Sequence, residues 1–507
     1  MTFNSQEIIQ EIHKDFEDML EYVTGEQART ATADATERGL FKMLMQMGSK
    51  LLRLFFILRS QATSREPLKT ADGDEWSYHR EMQRTYFSIF GKVCFVRPYF
   101  YRKGEGGRTR LDEELSLGED CYSDLVREIH DYLSVYGVYH KACAILERVL
   151  GLRLSTRVVQ TNLGEDAAEV EAYYAQKPAP PAEREADILV IQADGKGVPM
   201  ILENTASERV RLRKGEKHGR KKEAVVTTVY TIEAFVRTPE QVIASYYDNI
   251  HTSQAPQPKN KHLWATLDGK EVALGRLATQ VNARLGAPLR HKIALCDGCE
   301  ALQRRIAKQF PDFILILDFI HANEYLWKVA NALFGEGNDQ RFEWMKARSL
   351  QLLSGQTKQL IAELRSQANQ PKMRMAKRTQ LLKTANYFER NLPFMNYPVY
   401  LSKGWPIASG VIEGACRHFV KDRCELSGMR WLQTGAENLL RLRAVAENDD
   451  WEDYHLYRKQ QRHLRLYGTR KNCPVPIESQ SLNLHSESVE PMVANRQNRY
   501  SQFPLAS

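Results

Sequence analysis

The sequence predicts a mixed α+β fold of several domains, and three observations predict it. The N-terminal third changes its apolar period from helical to β and back; after a Pro-rich break at 178–181, short apolar runs alternate with amphipathic stretches; and 322–388 has helical texture with no strand pattern. At 507 residues, the length suits roughly two to four domains with sizeable cores.

Residues 1–62 read as a helical region. Leu40, Met43, Leu44, Met47, Leu51, Leu54, Phe55 and Leu58 recur at three-and-four spacing, giving one apolar face that suits a core or a partner helix. Residues 61–75 are polar and read as a linker. From 84 to 117 the pattern is β: the run Tyr86–Tyr101 is rich in aromatic and β-branched residues, and Gly91 and Gly104–Gly107 mark turns. Residues 118–177 return to helix. Within them, 139–150 and 156–167 form two short helices about a turn at Gly151, with Ser155 as an N-cap. That is the outline of a DNA-binding helix-turn-helix, and equally of an ordinary helical hairpin.

Beyond the break, 188–193, 224–235, 291–296 and 313–317 read as strands, and 274–285 and 299–310 as helices. The alternation implies a partly parallel sheet covered on both faces. Two more helices follow at 409–424 and 435–446. The tail after Tyr467 is rich in Ser, Asn and Gln and is expected to be disordered.

The formal net charge is +8, and it is spread unevenly. Arg209, Arg211, Arg213, Lys214, Lys217, Arg220, Lys221 and Lys222 crowd around a single Glu216. Such a run fits a polyanionic partner, nucleic acid or a membrane surface, or else a solvated loop. No apolar run approaches the ~20 residues of a membrane span. The N-terminal residues lack a signal-peptide layout, and eight scattered cysteines do not make a disulfide framework. A cytoplasmic location is expected.

Three carboxylates end the most ordered stretches: Asp194 in Ile-Gln-Ala-Asp-Gly-Lys-Gly, Asp297 in Ala-Leu-Cys-Asp-Gly-Cys-Glu, and Glu413 in Ser-Gly-Val-Ile-Glu-Gly-Ala-Cys-Arg-His. Each has a plain structural reading. Asp194 before Gly195 makes a turn, Asp297 with Glu300 a helix cap, and Glu413 meets the positive end of a helix dipole. Together they have another. Two strand-end aspartates and a helix glutamate can converge at the carboxyl edge of an α/β sheet, where sites form. Three hard oxygen ligands suit Mg²⁺ or Mn²⁺ acting on a phosphodiester.

Around them, Arg417 and Lys421 fall four and eight residues after Glu413, as phosphate contacts or as ion pairs on a solvated helix. Arg430 and Trp431 offer a cation and a ring for an unpaired base, though a Trp also suits a core. Asp318 and His321, three apart after the 313–317 strand, suit a role in positioning the site better than direct ligation. Cys296 and Cys299 lack the second pair that would complete a zinc set.

Taken in order, these motifs resemble a known family. Asp-Gly-Lys-Gly-Val-Pro-Met (194–200), the basic run to Lys222, Cys-Asp-Gly (296–298), Leu-Asp-Phe-Ile-His-Ala-Asn-Glu-Tyr-Leu-Trp (317–327), the Glu413 segment and Ser-Gly-Met-Arg-Trp (427–431) look like those of DDE transposases of bacterial insertion sequences. The likeness is to the ISKra type, and more distantly to Mutator-like transposases, and it runs from about residue 85 to 460.

The resemblance implies a ribonuclease-H-like core at 183–321 and 396–466, split by a helical insertion at 322–395. Before it would stand the helical region 1–62, a β-ribbon at 84–117 and a DNA-binding unit at 118–177, and after it the tail 467–507. It implies Asp194, Asp297 and Glu413 as the catalytic, Mg²⁺-binding triad. It also implies DNA as partner, both the terminal inverted repeats and the target, with more than one protomer on it. Related proteins carry a cysteine-bearing ribbon; here 101–107 has no cysteine, so a ribbon zinc is not expected.

Overall fold

The computed structural model describes residues 5–69, 73–201, 221–250, 254–285, 289–371 and 373–468. The expected disorder of the tail and most of the basic run, Arg209 to Arg220, therefore lie outside the described residues.

The N-terminal region is a helical hairpin, α1 (Ser5–Thr24) and α2 (Ala33–Ala62), with Thr32 capping α2 through Ala35 N–H. A four-stranded antiparallel sheet follows: β1 (Leu68–Lys69), β2 (Glu75–Ser88), β3 (Gly91–Arg102) and β4 (Gly106–Arg108). The ribbon begins at Glu75 rather than Arg84, so part of the expected linker is strand. Its first residues are mostly exposed and polar, so they carry no apolar alternation. Phe56 of α2 stacks on Phe95 of β3 at 4.2 Å, and Leu111 on α3 (Arg110–Glu114) closes this small core.

Four helices come next: α4 (Asp124–Tyr136), α5 (Tyr139–Leu150), α6 (Thr156–Asp166) and α7 (Val170–Gln176). Gly151 ends α5 in the left-handed region (φ 66°), which Gly adopts without strain, and Ser155 Oγ accepts from Val158 N–H at 3.3 Å to start α6.

The second sheet holds five strands in the order β7-β6-β5-β8-β9: β5 (Ile188–Pro199), β6 (Lys221–Ile232), β7 (Lys259–Thr266), β8 (His291–Cys296) and β9 (Ile314–Leu317). β6 runs antiparallel to both of its neighbours, β5 and β7, while β8 and β9 run parallel to β5. Between them lie α8 (Pro239–Tyr247), α9 (Lys270–Ala283) and α10 (Glu300–Gln309).

Both faces of this sheet are covered. Leu189, Ile191 and Ala193 of β5 pack under α9 and α10, whereas Ile188 and Val190 face the helical block that follows. That block is α11 (Phe319–Phe334), α12 (Gln340–Leu353), α13 (Thr357–Ala368), α14 (Met375–Asn391) and α15 (Tyr397–Ser402). The chain returns through α16 (Gly410–Gly414), a π-helical turn (Ala415–Lys421) and α17 (Asp422–Cys424). It closes with α18 (Gln433–Glu447) and α19 (Trp451–Tyr467), which pack with α4, α6 and α7 in one hydrophobic core.

Three expectations are corrected. Asp194 does not make a turn: β5 runs through it, and it pairs with Val226 of β6. Asp297 is not the N-cap of α10; Cys299 is, and Asp297 Oδ1 instead accepts from Cys299 N–H at 3.1 Å, closing the turn before the helix. The helix expected over 409–424 is interrupted by the π turn, whose wider i→i+5 bonding takes Arg417 and Lys421 out of the α-helical register with Glu413.

Candidate active site

The ladder between the parallel strands fixes the site. Ala193 of β5 is in register with Cys296 of β8, and Cys296 with Leu317 of β9. The next residue on each strand is an aspartate: Asp194, Asp297 and Asp318. Three aspartates thus follow registered positions on neighbouring strands, which lie about 4.8 Å apart, but among the described residues the ligand atoms that come within 4.8 Å of one another are those of Asp318, His321 and Glu413, not those of Asp194 and Asp297.

Glu413 is brought to this row by a short strap. Phe319 N–H bonds Ile407 O at 2.8 Å, and Ser409 donates to Asp318 twice, from its backbone N (2.9 Å) and from Oγ (2.8 Å). Ser409 Oγ also lies 3.1 Å from Glu413 Oε1, holding the side chain that follows one turn later. From the sheet, Gln192 reaches up. Fully buried, it accepts from Ile412 N–H at 3.0 Å and donates to the Tyr230 hydroxyl at 3.2 Å, pinning α16 over β5. Cys416, inside the π turn, completes the contact: its Sγ is 3.3 Å from Asp194 Oδ2.

The helical block braces the Asp297 turn. Arg390 of α14 donates to Gly298 O at 2.6 Å, and Gln303 bridges Asp297 O and Asn391. A Cβ on Gly298 would come within 2.2 Å of the Tyr387 ring, so only glycine lets α14 approach this closely.

Asp318 is buried and saturated. It accepts from Ile320 and His321 N–H as the cap of α11, from Ser409 twice, and from His321 Nδ1 at 2.6 Å. That last hydrogen bond pushes His321 up to about 9, against the opposing effect of burial, so the ring is a cation at neutral pH. His321 Nδ1 is also 3.8 Å from Glu413 Oε1. Burial, then Asp318, raises the Glu413 carboxyl above the usual range.

Asp318, His321 and Glu413 bring ligand atoms within 4.8 Å of one another, a grouping that could hold a metal ion. Asp318 already accepts five hydrogen bonds, and His321 meets it through Nδ1, so Nε2 is the nitrogen that a metal ion would take. Asp194 and Asp297 differ. Among the described residues neither pairs with a Lys or Arg, and the hydrogen bonds to the Asp297 side chain fall on Oδ1, from Cys299 N–H and Cys296 Sγ.

The two nearby thiols are neutral donors. Burial and Asp297 raise Cys296, and burial and Asp194 raise Cys416, so neither is a thiolate for zinc or redox chemistry.

The other sequence-chosen residues scatter. Arg417, Lys421 and Arg430 are exposed. Trp431 is not available to stack on a base: it is buried, its indole N–H bonds Cys424 O at 2.9 Å, and the Arg423 guanidinium sits 5.1 Å from its ring. Lys221 is ion-paired with Glu425, and Lys222 bonds Gln433 at 2.6 Å. Gln192, Ser409 and Arg390 were not singled out by the sequence. Gln192, inside the Asp194 motif, and Ser409, at the head of the Glu413 segment, stood within quoted motifs, whereas Arg390 stood in none.

No protein-family model matches the chain, and no curated protein matches it in sequence. Among solved structures it shows a weak likeness to the Drosophila P element transposase strand transfer complex, with 7% identity over 66% of this chain and 94% of that one and a TM-score of 0.31.

Proposed function

We propose that the protein is a DNA transposase: a metal-dependent polynucleotidyl transferase with a ribonuclease-H-like core, in which Asp194, Asp297 and Glu413 hold Mg²⁺ or Mn²⁺. The register of Asp194, Asp297 and Asp318 across three parallel strands, with Glu413 strapped to the last, is the observation that carries this reading. The bound ion would neutralise charge at the scissile phosphate and favour an attacking hydroxyl. Asp318 and His321 then position rather than bind. His321 bonds Asp318 through Nδ1, and Ser409 shares its hydroxyl between Asp318 and Glu413, which ties the glutamate to that aspartate.

Strand cleavage by water and joining by a freed 3′-hydroxyl are both in-line displacements at phosphorus, so one site serves for both. The partners in this reading are the element's terminal inverted repeats and target DNA, bound by the ribbon, the α5–α6 pair and the basic run 209–222.

The test is an assay on DNA carrying the sequences that flank the gene, with Mg²⁺, following nicking and joining of pre-cut ends. Asp297→Asn is expected to abolish both while leaving DNA binding intact. Nicking without joined products would make the protein a nuclease. Mn²⁺ binding followed by spectroscopy separates the two donor sets. Loss with His321→Ala but not with Asp297→Asn would move the ion to the Asp318 group and sink the assignment.

A further inference from the structure

A cavity of about 830 Å³ opens beside the strap that carries Glu413, within the range of roughly 300–1,000 Å³ for small-molecule sites. One wall is built from the chain neighbours of the residues that hold the carboxylates. Phe319 and Ile320 follow Asp318, and Ile407 and Ala408 precede Ser409. Another wall is α8 and the link into it from β6, with Phe235, Arg237 and Tyr246. Phe235 N–H bonds Gly404 O at 2.9 Å and Arg237 N–H bonds Leu401 O at 3.3 Å, tying that link to the stretch that leads into the strap.

Two side chains give the cavity its chemistry. Tyr246 is 46% exposed, and its ring meets Tyr247 (5.0 Å) and Phe319 (6.2 Å) in T-shaped contacts rather than flat stacks, which leaves ring surface for a ligand. Burial raises its hydroxyl, and Glu413 and Asp318 add to the rise, so both carboxylates lie within electrostatic reach of this side chain. Arg237 is partly buried. Its Nε donates to Phe235 O at 3.3 Å and its Nη2 to Trp405 O at 3.4 Å. Among the described residues no carboxylate pairs with it, and burial lowers the guanidinium with nothing to offset it.

An exposed aromatic ring holds a base through its π-face whatever the base, and a guanidinium without a counter-charge suits a phosphate. In a duplex both faces of a base are stacked, so only an unpaired one is free to enter. Trp431, the ring that the sequence offers for an unpaired base, is buried elsewhere against Cys424. We propose that the cavity holds an unpaired nucleotide of the DNA strand at the carboxylates, with its base on Tyr246 and its phosphate on Arg237. This occupancy rests on the proposed function, which brings a DNA strand to the residues that the cavity adjoins.

The experiment is photocrosslinking of the full chain, in Mg²⁺, to a thymidine oligonucleotide of roughly 12 nucleotides with iodouracil at one position. The adduct is expected on Tyr246 or Phe235, located by mass spectrometry of the peptides. Tyr246→Ala is expected to weaken binding of the single strand by about 5–150-fold, and Tyr246→Phe to leave it unchanged, since stacking needs the ring and not the hydroxyl. Arg237→Gln should lessen the salt slope for the single strand by about 0.7, the share of one phosphate contact. Adducts confined to other residues, or a Tyr246→Ala variant that binds like the wild type, overturn the proposal. So does an equal loss on a duplex of the same length, which would make Tyr246 a support of the fold. Thymidine monophosphate that binds at Tyr246 and is not displaced by the oligonucleotide would overturn it in favour of a free nucleotide. The two readings fail separately. A chain that crosslinks at Tyr246 but neither nicks nor joins end DNA supports the cavity and sinks the catalysis, whereas nicking and joining without a Tyr246 or Phe235 adduct does the reverse.

Discussion

Ser409 and Gln192 show how much of the site depends on groups that touch no substrate. Ser409 joins the end of β9 to the Glu413 strap through three hydrogen bonds, and Gln192 spends its buried amide on the backbone of α16. Neither carries charge, yet each fixes where Glu413 points. If Glu413 binds the ion as proposed, losing such an outer partner costs about 10–100-fold in activity or metal affinity. Ser409→Ala and Gln192→Ala are therefore each expected to slow strand cleavage by that factor, and Glu413→Gln to reduce it to the uncatalysed background. Single-turnover cleavage at several Mg²⁺ concentrations checks this. Recovery of the Ser409→Ala rate at high Mg²⁺ would locate its effect in ion binding, and an unchanged rate in both alanine variants would remove them from the site.

Helix packing around the sheet depends on a buried ionic clamp. Asp166, at the end of α6, accepts two hydrogen bonds from Arg127 of α4, at 2.6 and 3.0 Å, and is ion-paired with Arg458 of α19. Burial alone would raise the Asp166 carboxyl, but Arg458 and Arg127 outweigh it and hold it well below the usual range. Asp166→Ala leaves two buried guanidinium groups without their partner and is expected to cost about 3–5 kcal/mol in urea unfolding at pH 7. The sign of the pH effect follows from the depressed carboxyl. Its contribution is present above the unfolded value of about 3.9 and is lost as the pH falls through the folded one. The gap between wild type and variant should accordingly narrow below about pH 4, and a gap that widens there would contradict the clamp. The same clamp explains why α19 was illegible in the sequence. It buries Arg458 and His463 beside Trp451 and Tyr454, so no apolar period marks it. β7 escaped for a similar reason: its first half is exposed and basic, and only its second half is buried. α8 was missed although its signature was written out, since Thr238 and Gln241 form a capping box around Pro239. Strands β5, β8 and β9 were legible because both faces of the sheet are covered, which makes them continuous apolar runs. The aspartates that follow two of them were found for that reason. Their alignment was not, because register between strands far apart in the chain leaves no mark in either.

Across the whole molecule, the proposed function makes the placement of positive charge decide how DNA would reach the carboxylates. The chain leaves β5 at Pro199, five residues beyond Asp194, and comes back at Lys221, which is Pro199's partner in the ladder. Pro199 and Lys221, which flank the segment holding the basic run, thus face each other on β5 and β6 beyond Asp194. Its last two members are already engaged, Lys221 with Glu425 and Lys222 with Gln433. Six others, Arg209, Arg211, Arg213, Lys214, Lys217 and Arg220, precede them. If these six meet phosphates, each contact releases counterions, and the logarithm of the binding constant falls against that of salt with a slope of about −0.9 per contact. Changing all six to glutamine is expected to flatten the slope by up to about 5, whereas Lys221→Gln with Lys222→Gln should barely alter it. Titrations on end DNA between about 50 and 200 mM KCl read both slopes. Equal slopes for wild type and the six-fold variant would make the run a solvated loop and leave the recognition of DNA to the ribbon and the α5–α6 pair. A steeper loss for the Lys221 and Lys222 variant would mean that their pairings with Glu425 and Gln433 open when DNA binds.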